Sequence, residues 1–302
     1  MRPIKLVSAL LLAAAAIPAT AATGPKIFAA PEQAVQQLIV AVKAGDSKAL
    51  LEILGPDAKA LIASGDAVAD KEGRERFARN YDEANKLEKS GDDKVILSVG
   101  RDAWPFPIPI VKDAAGWRFD TDEGREEILN RRVGRNERET IQAALAYVDA
   151  QREYYLRNPQ RDKLLQYAQK FRSASGKRDG LYWPAQASEP PSPLGPLYAA
   201  ARIEGYGKAS GGKPYPYHGY FYRILKGQGP EARGGAYDYV AQGRMIGGFA
   251  LVAYPATYGN SGVMTFIVNH DGTVYEKNLG ADTAKIARAM SVFNPDKGWK
   301  PL

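Results

Sequence analysis

Apolar residues return at helical spacing between Pro31 and Gly45. Ala34, Val35, Leu38, Ile39 and Val42 fall on one side of a helix that opens at Pro31-Glu32. Asp46-Ser47 can cap a second, shorter helix carrying Leu50, Leu51 and Ile53, which Gly55-Pro56 stops. The charge-rich stretch from Val68 to Ser90 aligns Phe77, Tyr81, Ala84 and Leu87 as one stripe and predicts a third helix. The period then shortens. Val95, Leu97 and Val99 alternate with polar neighbours, Trp104 to Val111 is extended and punctuated by proline, and Trp117-Arg118-Phe119 follows a turn at residues 113–116. Two or three antiparallel strands are expected there. Asn136 is placed to cap a long helix with Ile141, Leu145 and Val148 on its inner face, running to about Arg157. Asn158-Pro159 interrupts it, with a further turn or two expected before Phe171.

Serine, glycine and proline concentrate between residues 173 and 196, most densely at Pro190-Pro191-Ser192-Pro193, and predict a linker. Leu181-Tyr182-Trp183 inside it points to a segment pinned onto a surface. Beyond Leu197 the composition changes: of 17 tyrosines, 12 lie between Tyr182 and Tyr275. Tyr217–Leu225, Gly248–Tyr254, Gly262–Asn269 and Thr273–Lys277 read as strands, with a hairpin turn at residues 269–272. Thr283–Val292 reads as a closing amphipathic helix. The expected organisation is α+β: a helix-rich domain with a small antiparallel sheet over residues 23–172, the linker, and an antiparallel β domain over 197–302.

The first 22 residues carry an address. Arg2 and Lys5 precede an uncharged run from Leu6 to Ile17, and Ala19-Thr20-Ala21 after Pro18 is the small-x-small pattern of a cleavage site. The run is shorter than the ~20 apolar residues of a membrane span, so a cleaved export signal is expected, with no stable membrane insertion afterwards. The mature chain would then be periplasmic or secreted. The composition is that of a globular protein, 45% hydrophobic and 25% charged. With no cysteine there is neither a disulfide framework nor a thiolate, so apolar cores must carry the stability. The formal charge of +7 falls to +5 once Arg2 and Lys5 leave with the signal, a mild bias towards anionic envelope polymers. An exported chain argues against nucleic acid as a partner.

Several strings together resemble a known family. They are residues 102–107 (DAWPFP), 116–120 (GWRFD), 131–137 (RRVGRNE), 147–154 (YVDAQREY), 217–220 (YHGY) and 254–266 (YPATYGNSGVMTF). In that order the chain is identified as a member of the exported bacterial family called domain of unknown function 2950, over nearly the whole mature length. The resemblance implies an envelope location and no established activity, hence no catalytic residues to carry over. At the level of fold, the first half is similar to the NTF2-like cone, and the strands from Tyr217 to Lys277 are similar to the C-terminal sheet of pseudopilins.

Three constellations could carry chemistry. Gly259-Asn260-Ser261-Gly262 resembles the glycine-flanked nucleophile of serine hydrolases, with His218 as base and Asp238 or Asp271 as orienting acid. Its plainer reading is a tight turn into the next strand. Asp120, Glu126, Glu127, Arg131, Arg132, Arg135, Glu137, Asp149 and Glu153 form a carboxylate–arginine series near Trp104 and Trp117. It could line a pocket for a ligand or polymer, hold an acid/base carboxylate, or be a row of solvated ion pairs. The tyrosines, among them Tyr217, Tyr220 and Tyr258, could form an aromatic platform or simply fill a core. Only His218 and His270 are available to a metal, and no carboxylate spacing suits one, so neither metal nor cofactor is expected. His270 is expected exposed in its turn. The favoured expectation is a binding or accessory module for an envelope protein or polymer, using a groove between the two halves near Trp104, Trp183 and the tyrosines of the second sheet. A hydrolase and a structural accessory of a surface assembly are the alternatives.

Overall fold

Local signals bound the first helices. Pro31 sits in the first turn of α1 (Pro31–Ala44), and Gly45, left-handed at φ 65°, closes it. Asp46 caps α2 (Ser47–Leu54) by accepting from the backbone N–H groups of Lys48 and Ala49, each at 3.0 Å. A 3-10 turn (Pro56–Ala58) leads into the single-turn α3 (Lys59–Ile62). The buried Asp66 caps α4 (Ala67–Glu83) through Val68 and Ala69. These elements come from a computed structural model that describes residues 24–186, 188–204, 206 and 216–302. The predicted export signal lies outside the described residues.

The first sheet follows α4. It comprises β1 (Asn85–Lys89), β2 (Lys94–Val99), β3 (Trp104–Pro105), β4 (Ile110–Asp113) and β5 (Gly116–Phe119), in the order β1-β2-β4-β5, with β3 pairing β2. Phe28 exchanges backbone hydrogen bonds with Trp117 and so closes the β5 edge. Leu87 therefore belongs to β1 and not to the helical stripe predicted for residues 68–90; the helix stops at Glu83 because Leu87 pairs with Leu97 on β2. Leu97, Val99, Ile108, Ile110 and Phe119 meet α1 and α2 in a first apolar core.

The long helix α5 (Thr121–Arg157) corrects the prediction most. It starts a full four turns before Asn136, which is buried in mid-helix and donates from Nδ2 to the Ser261 carbonyl at 2.9 Å. The early turns went unread because they carry ion pairs, Arg125–Asp122 and Arg131–Glu127, in place of a broad apolar stripe. At about 55 Å, α5 is long enough to serve two cores. Ile128 and Leu129 pack against the first; Ala144, Tyr147, Val148 and Tyr154 are buried in the second. The apolar packing thus changes hands within the helix. Asn158, left-handed at φ 43°, ends it. Its side chain holds both the N–H and the carbonyl of Asp162, and the turn expected before Phe171 is an irregular loop instead.

The described residues between 158 and 194 run without helix across the second core, where Ala168, Leu181, Trp183 and Leu194 are buried, so the 181–183 segment is pinned as its composition suggests. After α6 (Gly195–Ile203) comes β6 (Tyr220–Leu225), shorter than predicted because Tyr217 to Tyr220 form a turn. Short pairs β7 (Gly227–Gln228) with β8 (Tyr237–Asp238), and β9 (Val240–Ala241) with β10 (Arg244–Met245), precede β11 (Ala250–Pro255), β12 (Met264–Asn269) and β13 (Val274–Asn278). Then α7 (Thr283–Ala289) and β14 (Lys300–Pro301) complete the chain, and the second sheet is antiparallel in the order β14-β13-β12-β11-β6.

Alternation along β6 shows how that sheet is covered. Tyr220 and Tyr222 point to α5, where their hydroxyls reach Glu137 and Thr140. Arg223 points the other way and donates to the Ala287 and Met290 carbonyls at the end of α7. With both faces covered, every residue of the central strand β11 is buried. The fold is α+β, as expected.

Glu137 is the firmest tie between α5 and this sheet. Its Oε1 accepts from the Val263 and Met264 N–H groups, both at 2.9 Å. Hydrogen bonds to a charged acceptor contribute about 1.5–3 kcal/mol each. Glu137→Ala should therefore lower the unfolding free energy by roughly 3 kcal/mol or more, and Glu137→Gln by clearly less, as read by urea denaturation.

Candidate functional site

A cavity of about 330 Å³ opens in the first half, between α1, α2, α4, α5 and the segment before β4. Its floor is apolar: Leu38 and Val42 from α1, Leu50 and Leu54 from α2, Phe77 from α4, with Phe106 and Ile108. These side chains come from four separate stretches of sequence and meet only because α4 and α5 lie over α1 and α2. Gly124 in α5 permits the close approach, since a Cβ there would lie 2.7 Å from the Pro107 carbonyl oxygen. Gly73 of α4 also lines the cavity, and a Cβ on it would meet nothing within 4 Å.

The rim is basic. Arg74 and Arg76 from α4 and Arg131, Arg132 and Arg135 from α5 line it, against the single carboxylate of Asp70. Most of these groups are engaged. Arg76 pairs with Glu72 at 3.0 Å and Arg131 with Glu127 at 2.6 Å. Arg132 reaches the Ala60 carbonyl at 2.8 Å, the Leu61 carbonyl and the Asn260 side chain, so it fixes α3 to α5 and to the second half. Asp70 accepts from the Ser64 N–H at 2.9 Å. Among the described residues, Arg74 and Arg135 make no hydrogen bond or ion pair. Burial pushes the Arg132 and Arg135 guanidinium pKa values down, and the neighbouring Arg76 adds to the effect at Arg135.

Beside the rim, the string 217–220 forms a tight turn. His218 and Gly219 are both left-handed, and Tyr217 and Tyr220 exchange backbone hydrogen bonds across them. Gly219 is required twice over, because a Cβ would lie 2.6 Å from the Asn136 amide nitrogen. The Gly219 N–H and the Tyr206 hydroxyl both donate to Asp66 Oδ2, at 2.9 and 2.7 Å. One buried carboxylate therefore caps α4 and anchors this turn together.

The serine constellation is not assembled as a triad. Ser261 is fully buried; its hydroxyl accepts from the Thr257 N–H at 2.9 Å and donates to the Thr257 carbonyl at 3.2 Å. The His218 ring turns to Glu204 at 3.5 Å and packs on Tyr217, while Asp238 is exposed on β8. The flanking glycines have structural reasons: Gly259 is left-handed, and a Cβ on Gly262 would lie 2.0 Å from the Tyr220 hydroxyl oxygen. The carboxylate–arginine series resolves largely into pairs along α5, Asp149 with Arg152 and Glu153 with Arg157. Trp104 is 57% exposed on the first sheet, Trp117 is half-buried beneath Lys112, and Trp183 lies in the second core. Trp104 and Trp183 thus belong to different parts of the fold. Tyr220 is buried, Tyr217 half-buried, and Tyr258 donates to Asn278 at 3.1 Å near the surface. His270, expected exposed, is half-buried with its ring against Tyr239 and Phe249, because Gly248 leaves room for it.

An α+β protein with an apolar cavity and an arginine rim is the class that these features define. The chain belongs to the family described as "Protein of unknown function (DUF2950)", matched over residues 25–302. Comparison with curated proteins and with solved structures finds no match. Among the described residues no helix is long and apolar enough to cross a membrane, and no cluster of His, Cys, Asp and Glu could hold a metal ion.

Glu204 gives a pH signature. Partial burial raises its carboxyl pKa above the ordinary 4.5; His218 opposes this, while Glu72, Glu139 and Asp66 add to it. The folded state thus holds this proton more tightly than the unfolded chain, and the stability it contributes is present below 4.5 and lost as pH rises through the raised value. Unfolding free energy measured from pH 4 upward should decline over that window, and Glu204→Gln should flatten the decline.

Proposed function

We propose that this chain is an exported binding protein whose first-half cavity takes up a small apolar ligand. The cavity itself carries the reading. At about 330 Å³ it lies within the ~300–1,000 Å³ of ligand sites, and its apolar floor carries a few polar groups at one edge. The leader-like first 22 residues support work outside the cytoplasm. An aromatic platform for a polymer has less support, because Tyr220 and Tyr239 fill the second core. Hydrolysis at Ser261 gains none, since that hydroxyl is enclosed and committed to Thr257.

Gly73 offers a direct test. Gly73 lines the cavity and a Cβ there meets nothing within 4 Å, so Gly73→Phe adds bulk at the cavity wall, and replacing a helical glycine favours the helix. The uncharged fluorophore 1-N-phenylnaphthylamine should bind the wild type saturably at one site, and Gly73→Phe should abolish the signal while the thermal unfolding temperature holds or rises. Gly73→Ala should keep binding and gain about 0.5–1 kcal/mol of stability. No saturable signal in the wild type, or an equal signal in Gly73→Phe, would contradict the reading.

A further inference from the structure

We propose that the ligand is a single-chain carboxylate whose head is held by Arg135 and Arg74 while its chain lies against Leu38, Leu54, Phe77 and Ile108. This rests on the cavity being a ligand site and adds the chemistry of what enters it.

Charge complementarity is the first argument. Five arginines face one carboxylate around the cavity, and that carboxylate is already bound to the Ser64 N–H. Three of the arginines are also committed, to Glu72, to Glu127, and to the α3 carbonyls with Asn260. Arg74 and Arg135 are half-buried, and among the described residues neither has a hydrogen-bonded or ion-paired partner, although Glu72 and Glu139 lie near enough to Arg135 to favour its charge. Both guanidinium groups can therefore take an incoming anion without giving up a bond seen among the described residues. A cationic head would be repelled, and a neutral one would gain no ion pair.

Size and shape narrow the class. The volume is at the low end for ligand sites, which suits one chain and a compact head better than a two-chain lipid. A planar carboxylate matches the guanidinium fork, so one head can take two parallel N–H bonds from a single arginine. Apart from Ser64, Asp70 and Asn136, the rest of the lining is mainly apolar, where a hydrocarbon chain is stabilised by leaving water.

The test is displacement of bound 1-N-phenylnaphthylamine by four compounds that share a dodecyl-length chain, each kept below its micelle concentration or solubility limit: dodecanoate, dodecan-1-ol, dodecyl phosphate and dodecyltrimethylammonium. Dodecanoate should displace the probe about tenfold or more better than dodecan-1-ol, and the ammonium compound should be weakest. Arg135→Gln should weaken dodecanoate about tenfold or more and dodecan-1-ol and the probe clearly less, with Arg135→Lys recovering part of the loss. Arg74→Gln supplies a second variant if Arg135→Gln lowers stability. Equal affinity for dodecanoate and dodecan-1-ol, or equal loss of both in Arg135→Gln, overturns the proposal yet leaves the cavity a ligand site. Tighter binding of dodecyl phosphate overturns the carboxylate assignment. Failure of the probe to bind the wild type overturns the cavity reading and this one with it.

Discussion

The middle of α5 is where the two cores are held in register. Along one stretch of that helix Arg132 reaches α3 and Asn260, Asn136 reaches Ser261, Glu137 reaches the start of β12, and Thr140 meets Tyr222. The groups are polar, Asn136 and Thr140 are buried, and each meets a partner on the second sheet or its loops. Misplacing the helix by one residue would strand them without partners, which costs more than the bonds themselves contribute. Asp66 repeats the device from the other side, capping α4 while it accepts from the turn that precedes β6. The position of α4 and α5 over the first core follows from these ties, and so does the cavity between them.

Where local chemistry decides the structure, it could be read along the chain. Pro31 and Gly45 bound α1, Asp46 and Gly55 bound α2, and the β-branched and aromatic runs of β11 and β12 announce a central sheet. The tight-turn reading of residues 259–262 and the core reading of Tyr220 also match their surroundings. The first turns of α5 were hidden because charged pairs stabilise them in place of an apolar face. Asn136 looked like a cap because asparagine favours caps, whereas a tertiary acceptor, the Ser261 carbonyl, satisfies it here.

The site was legible only in part. Arg131, Arg132 and Arg135 stand out in sequence as a basic run, and all three line the cavity. Their apolar counterparts were assigned to helix and strand interiors, and nothing local distinguishes a side chain that fills a core from one that walls a cavity. Gly73 carries the clearest missed signal, a glycine in a charged helix where alanine would be more favourable, beside open space. The result is a filled second core and a first core that stops short of filling itself, with Arg74 and Arg135 lining the gap and making no ion pair among the described residues.

The most direct measurement is carbon NMR of dodecanoate labelled at its carboxyl carbon, titrated with pH in the presence of the protein. The account predicts a distinct bound resonance whose midpoint lies below that of free dodecanoate, because adjacent arginines favour the ionised head. Absence of a bound resonance, or a bound head that titrates at or above the free value, would contradict it.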